Sequence, residues 1–125
     1  MTERRTSRQR HGGQAEAAAL AYLQRRGLRL LKRNHHCRQG EIDLILQQGE
    51  DVVFVEVRYR RTTTFVHPAE TVDAGKQRRI IHAARHFLTT RPDLAGHNLR
   101  FDVVAASGDP DAPELEWITS AFDAF

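Results

Sequence analysis

Two carboxylates in the middle of the chain, Asp43 and Glu56, lie on runs whose apolar residues alternate. Residues 41–47 put Ile42, Leu44 and Leu46 on one face, and residues 51–60 put Val53, Val55, Val57 and Tyr59 on one face. A period of two marks β-strands, and the turn-like Gln48-Gly49-Glu50 between the runs predicts a hairpin. A turn centred on Gly49-Glu50 pairs Gln48 with Asp51, Ile45 with Phe54, Asp43 with Glu56 and Glu41 with Arg58. Asp43 and Glu56 then face each other with Cβ atoms about 4.5–5.5 Å apart, where like charges destabilise. A divalent cation removes that repulsion. Mg²⁺ takes oxygen ligands and typically uses one or two carboxylates plus substrate phosphate. Arg58, two residues beyond Glu56, shares its face. A cation held by two carboxylates beside a basic group is suited to phosphodiester cleavage. A plainer arrangement uses the same residues as solvent-facing strand ends, with Asp43 and Glu56 paired to Arg58 or Arg60.

Other elements must position these groups. Ala15, Ala18, Ala19, Tyr22 and Leu23 recur at helical spacing and predict a helix over 14–26, closed by Gly27. Glu16 borders its apolar face and is the lone acid between Arg4 and Cys37. A helix packed on the hairpin would aim Glu16 at the same site, and an exposed flank would accommodate it equally well. Residues 28–33 read as a strand and 34–40 as a loop. Residues 61–71 read as a second loop, and 73–90 as a helix capped by Asp73 and stopped by Pro92. Ile80, Ala84, Phe87 and Leu88 form its apolar face. Strands over 99–106 and 114–118 complete an α-β-β-β-α-β-β order, in which the strand–helix–strand crossover puts 99–106 into the same sheet.

At 125 residues the chain suits one domain, taken as 12–125 and preceded by a mobile basic arm over 1–11. No apolar run approaches the ~18 residues of a membrane helix. The start is polar, so no secretory signal is expected. The single cysteine, Cys37, excludes an internal disulfide and points to the reducing cytoplasm. Residues 1–38 carry ten basic and two acidic side chains, +8, against nine and fourteen, −5, in the rest. Arginine outnumbers lysine seventeen to two. Arginine favours bidentate contact with planar anions such as phosphate, although a solvated surface explains the composition equally well. Arg4, Arg5, Arg8 and Arg10 on the arm, with Arg60 and Arg61 after the hairpin, are the candidate nucleic-acid contacts. His35-His36-Cys37 lacks a second cluster, and adjacent ligands converge poorly, so a zinc site is not expected. Trp117 reads as core cover, Tyr59 and Phe65 as packing residues, and Asp102 as a structural partner of Arg100 or another arginine.

The motifs resemble a known family. Gly-Glu-Ile-Asp-Leu-Ile at 40–45 and Val-Phe-Val-Glu-Val-Arg at 53–58, in that element order, resemble the PD-(D/E)xK restriction-endonuclease-like fold. More narrowly, Gly13-Gln14-Ala15-Glu16, Tyr22-Leu23, Arg33-Asn34, Lys76 with Ala83-Ala84, and residues 100–104 are similar to the YraN family of bacterial proteins, itself similar to archaeal Holliday junction resolvases. The resemblance covers about residues 12–118. It implies an α/β fold with a restriction-endonuclease-like αβββαβ core, a mixed central sheet flanked by helices. It implies Mg²⁺ (or Mn²⁺) held by Asp43, Glu56 and Glu16, and action on DNA, such as branched recombination or repair intermediates. Cleavage of two strands would favour a homodimer. Arg58 stands where the motif has lysine, and an arginine does not act as a base near neutral pH. Lys76 offers a migrated ammonium, or is a lysine snorkelling from the helix interface. The two functional expectations are therefore a metal-dependent endonuclease and a nucleic-acid-binding module that retains the fold without turnover.

Overall fold

The structure, a computed structural model, describes residues 7–61 and 72–124, with side chains from residue 13 onward. Helix α1 (Ser7–Arg25) leads into strands β1 (Arg29–Cys37), β2 (Gly40–Gln48) and β3 (Asp51–Arg60). Helix α2 (Ala74–Thr89), a 3₁₀ turn (Pro92–Leu94), β4 (Asn98–Ser107) and β5 (Glu114–Phe122) follow. The strands form one sheet in sequence order. β3 and β4, joined through α2, are parallel, and every other neighbouring pair is antiparallel. This is a mixed α/β architecture consistent with the restriction-endonuclease-like αβββαβ core, with β5 added at the edge.

Each helix covers one face of the sheet. Ala19, Leu20 and Leu23 of α1 pack with Leu44, Leu46, Val53, Val55 and Val104. Ile80, Ala83, Ala84 and Phe87 of α2 pack with Ile42, Ile45, Val52, Phe54, Phe101 and Val103. α1 ends as its sequence predicts. Gly27 is left-handed (φ 91), and the amides of Leu28 and Gly27 bond to the carbonyls of Leu23 and Gln24. That bond pair defines a Schellman cap, with Leu23 and Leu28 joined in the same apolar cluster. Asp73 caps α2 by accepting from the Lys76 amide at 2.8 Å.

Three boundaries and one internal feature depart from expectation. α1 starts at Ser7, inside the expected arm, and runs through Gly12-Gly13. Once a helix has nucleated, each further residue adds a bond, so two glycines costing about 1 kcal/mol apiece do not stop it. β1 continues through the expected loop to Cys37, because His35, His36 and Cys37 pair with Ile42, Glu41 and Gly40. β5 runs on to Phe122 past an irregularity where Ser120 has φ 50. The fourth departure bears on the site. Asn34 in mid-β1 is left-handed (φ 51), a conformation that asparagine tolerates better than most residues. Before it, Arg33 pairs with Leu44 on the α1 side. After it, His35 pairs with Ile42 on the α2 side. The expected single face of Ile42, Leu44 and Leu46 is thus split at Asp43.

Asp102 is fully buried on β4 and pairs with Arg100, as expected. It also accepts from the Trp117 indole at 2.9 Å and the Ser120 amide at 3.0 Å. Trp117 is therefore more than core cover.

Gly40 lies against the backbone of α2, where an added Cβ would stand 2.5 Å from the Arg79 carbonyl oxygen. Backbone cannot yield as a flexible side chain does. Gly40→Ala is therefore expected to lower stability by about 1–3 kcal/mol, the usual cost of overpacking. Urea unfolding at constant m-value checks this, and an unchanged midpoint would refute the close packing.

Candidate active site

The hairpin ladder runs from Gln48–Asp51 to Leu44–Val55 in the predicted register and stops there. One step further, the strands do not continue as a regular pair. The Asp43 carboxylate takes the place of a ladder carbonyl and accepts from the Val57 amide at 2.8 Å. This holds Asp43 against the chain segment that carries Glu56. The expected direct pairings of Asp43 with Glu56 and of Glu41 with Arg58 are not part of the ladder, and Glu41 contacts His36 at 3.0 Å instead. The face switch at Asn34 and the splay at Asp43 coincide, so the carboxyl sits in the gap between the two layers.

Glu56 follows Val52 and Phe54 on the α2 side, and its side chain is only 7% exposed. The Lys76 ammonium reaches it from the first turn of α2 at 2.8 Å. The Arg58 guanidinium lies 4.0 Å away. Sequence alone left Lys76 between an interface lysine and a site residue, and the geometry places it on the carboxylate. From the other face, Glu16 of α1 is 13% exposed and bonds to the Arg33 guanidinium at 3.1 Å. Its charge is felt at Asp43, but its carboxylate is turned to β1. Among the described residues no three His, Cys, Asp or Glu side chains converge tightly enough to hold an ion. The structure thus brings together Asp43, Glu56, Lys76 and Arg58, with Glu16 one ion pair away.

Burial pushes the Asp43 carboxyl up to about 7, with the Glu56 charge second and Glu16 adding to it. The Val57 amide and the Lys76 ammonium oppose the shift without cancelling it. The Asp43 and Glu56 charges repel each other, and the protein interior screens that repulsion less than water does. One added positive charge at this gap is therefore worth more than a surface ion pair. The donors on offer are carboxylate oxygens, which suit a hard divalent cation and not a soft one.

Arg4 and Arg5 lie outside the described residues, as does Phe65. The side chains of Arg8 and Arg10 are likewise undescribed, although their backbone belongs to α1. Arg60 and Arg61 are exposed beyond the site end of β3. The Tyr59 hydroxyl donates to the Gly108 carbonyl. Sequence reading missed Arg33 as the partner of Glu16 and Asn34 as the switch residue, although both stood among the motif residues. It also missed His35, buried on β1 and bonded to His86 of α2 at 2.9 Å. Lys32 stands 3.0 Å from the other ring nitrogen of His35, and burial together with that charge holds the His35 pKa down.

A profile described as "Uncharacterised protein family UPF0102" matches residues 15–106, which include all five site residues. The chain belongs to this family. A UPF0102 protein of Pseudomonas savastanoi pv. phaseolicola is 50% identical over 121 residues, covering 96% of this chain and 98% of its own. One from Stutzerimonas stutzeri is 49% identical over 116 residues, covering 93% and 97%. One from Chromohalobacter salexigens is 48% identical over 125 residues and covers both chains completely. The resemblance to the YraN family is thereby shown, since UPF0102 is that family. No helix among the described residues is long and apolar enough to cross a membrane.

A carboxyl whose pKa is raised by folding binds its proton more tightly in the fold than in the unfolded chain. Stability from this group therefore falls as pH rises from about 4 to about 7, by up to about 1.4 kcal/mol per unit, and the full cost remains above that window. In EDTA, Asp43→Asn is expected to be more stable than wild type at pH 8 and to lose most of that advantage at pH 5. Urea unfolding at the two pH values measures it. Parallel pH profiles for the two proteins would show that Asp43 titrates normally.

Proposed function

We propose that this UPF0102 protein is a divalent-cation-dependent DNA phosphodiesterase of restriction-endonuclease-like type. The observation that carries this reading is the juxtaposition of Asp43 and Glu56 at the splayed end of the β2–β3 hairpin, with the Lys76 ammonium 2.8 Å from Glu56. The residues present fit the cation that the fold implies, because Mg²⁺ or Mn²⁺ takes oxygen donors from one or two carboxylates, here the buried Glu56 and the half-buried Asp43. Asp43 and Glu56 would hold it, and Glu16 would join them on release from Arg33. Such a cation supplies charge neutralisation at the scissile phosphate and polarises it.

The chain's own residues supply the rest. The Val57 amide fixes the Asp43 carboxylate in place. Arg58, always charged, holds a phosphate oxygen and offsets charge in the transition state. Lys76 stands in for the lysine that the motif has at position 58, delivered from a helix instead of the strand. Two strands would be cut by two copies acting as a homodimer. The substrate is DNA of the recombination or repair kind in the cytoplasm, where branched intermediates offer paired phosphates.

One observation favours a second reading, in which the protein binds nucleic acid without cleaving it. Lys76 already occupies a Glu56 oxygen, and Arg33 occupies Glu16.

Cleavage of four-way junctions, flaps and linear duplex in Mg²⁺ or Mn²⁺ separates the two readings. Wild type is expected to cut, Asp43→Ala to be inactive, and Lys76→Met to lose about 10²–10³-fold, the usual cost of removing one electrostatic stabiliser. Arg58→Lys is expected to preserve or raise activity. Metal and DNA binding without cleavage by wild type or Arg58→Lys would establish the binding-module reading.

A further inference from the structure

The strongest unassigned feature is a one-signed surface that begins at the site. α2 contains no aspartate or glutamate. Its inner face is Ile80, Ala83, Ala84 and Phe87, and its outer positions Arg78, Arg79, His82, Arg85 and His86 are exposed. Among the described residues no carboxylate forms an ion pair with Arg78, Arg79 or Arg85. Asp73, the helix cap, is the acid that feels the Arg79 charge. The neighbouring edge strand continues the pattern, with Lys32 and Arg38 on β1 and just beyond its end. The His35–His86 bond ties that strand to α2, so the two basic rows are fixed side by side. Glu41, already in contact with His36, is the acid at this edge.

A helix that only faces water gains from acids and bases interleaved at i,i+4, and like charges at that spacing cost a few tenths of a kcal/mol each. α2 carries Lys76 and Arg79 one turn apart, and Arg78 and Arg85 two turns apart, with no acid interleaved. The row also has a direction. Lys76 touches Glu56 from the first turn, and Arg78 and Arg85 follow on the same helix. Seven residues of helix span about 10 Å, close to three nucleotide steps at about 3.4 Å per strand. Arginine is also the side chain whose planar fork matches phosphate.

We propose that the outer face of α2, with the adjoining edge of β1, is a track for nucleic-acid phosphates that leads away from the Asp43–Glu56 pair. It rests on the phosphodiesterase reading and adds where the substrate's backbone lies. The track consists of residues other than Arg4, Arg5, Arg8, Arg10, Arg60 and Arg61.

The test is fluorescence anisotropy of a labelled duplex with the full chain in EDTA across a salt series, so that nothing is cut. Arg78→Gln/Arg85→Gln is compared with a charge-matched control, Arg29→Gln/Arg91→Gln, whose arginines bond to Gln47 and Asp93. Both are checked for wild-type melting temperature. The track variant is expected to flatten the log–log salt slope by about 1.8, at about 0.9 for each duplex phosphate that is no longer neutralised. The control is expected to keep the wild-type slope. Equal slopes for wild type and the track variant overturn the proposal. Equal flattening in both variants overturns it too, because it shows an effect of net charge alone, as does absence of DNA binding by wild type. The same proteins in Mn²⁺ keep the two ideas apart. A flattened slope with no cleavage by wild type supports the track and removes the catalytic reading. Cleavage with an unchanged slope does the reverse.

Discussion

The site depends on one electrostatic conflict: the half-buried Asp43 and the buried Glu56 repel each other in one gap, where Lys76 and Arg58 both approach Glu56. A small sheet could avoid it by placing an apolar residue at either position. The chain instead bends around it. The hairpin ladder ends at Leu44–Val55, the Asp43 carboxylate takes the Val57 amide, and Asn34 adopts a left-handed conformation opposite the break. Gly40 lets α2 approach to backbone contact, and Lys76 of the same helix reaches Glu56. Together these features hold the two carboxylates where a cation and a phosphate can meet.

The other buried carboxylate shows what a structural acid looks like in the same molecule. Asp102 is wholly inaccessible, yet Arg100 donates to both its oxygens, and the Trp117 indole and the Ser120 amide add two more bonds. A buried charge is tolerated when it is paired and its lone pairs are filled. Asp43 has one amide bond and faces two further negative charges, and its carboxyl is pushed up to about 7. Equal sheet, equal side-chain type and opposite provision of donors separate an architectural acid from a poised one.

Much of this was legible in the sequence because it follows from local rules. The hairpin register came from alternation and a two-residue turn, and the ends of α1 and α2 came from Gly27 and Asp73. A structural arginine partner for Asp102 was legible, and the structure identifies it as Arg100. What the sequence hid depends on contacts between distant segments. Residues 34–37 look like a loop because His, Cys and Asn carry no strand pattern, and only pairing with β2 makes them β1. The salt bridge of Arg33 with Glu16 joins a strand to a helix seventeen positions away. The choice between Lys76 as an interface lysine and as a partner of Glu56 turned on how α2 docks on the sheet, a contact between distant segments. The expected single face of β2 failed for the same reason, since a one-residue switch at Asn34 leaves no periodic trace.

The central claim is that Asp43 carries a proton near neutral pH which a divalent cation displaces. Metal binding to a protonated ligand must release that proton. Isothermal titration of the full chain with Mn²⁺, in buffers of different ionisation enthalpy, counts the protons released. Near pH 6 the release is predicted to be about one per bound ion, falling towards zero by about pH 9, and to vanish with the binding itself in Asp43→Asn. Mn²⁺ binding to wild type at pH 6 without proton release, or unchanged binding to Asp43→Asn, would contradict the account.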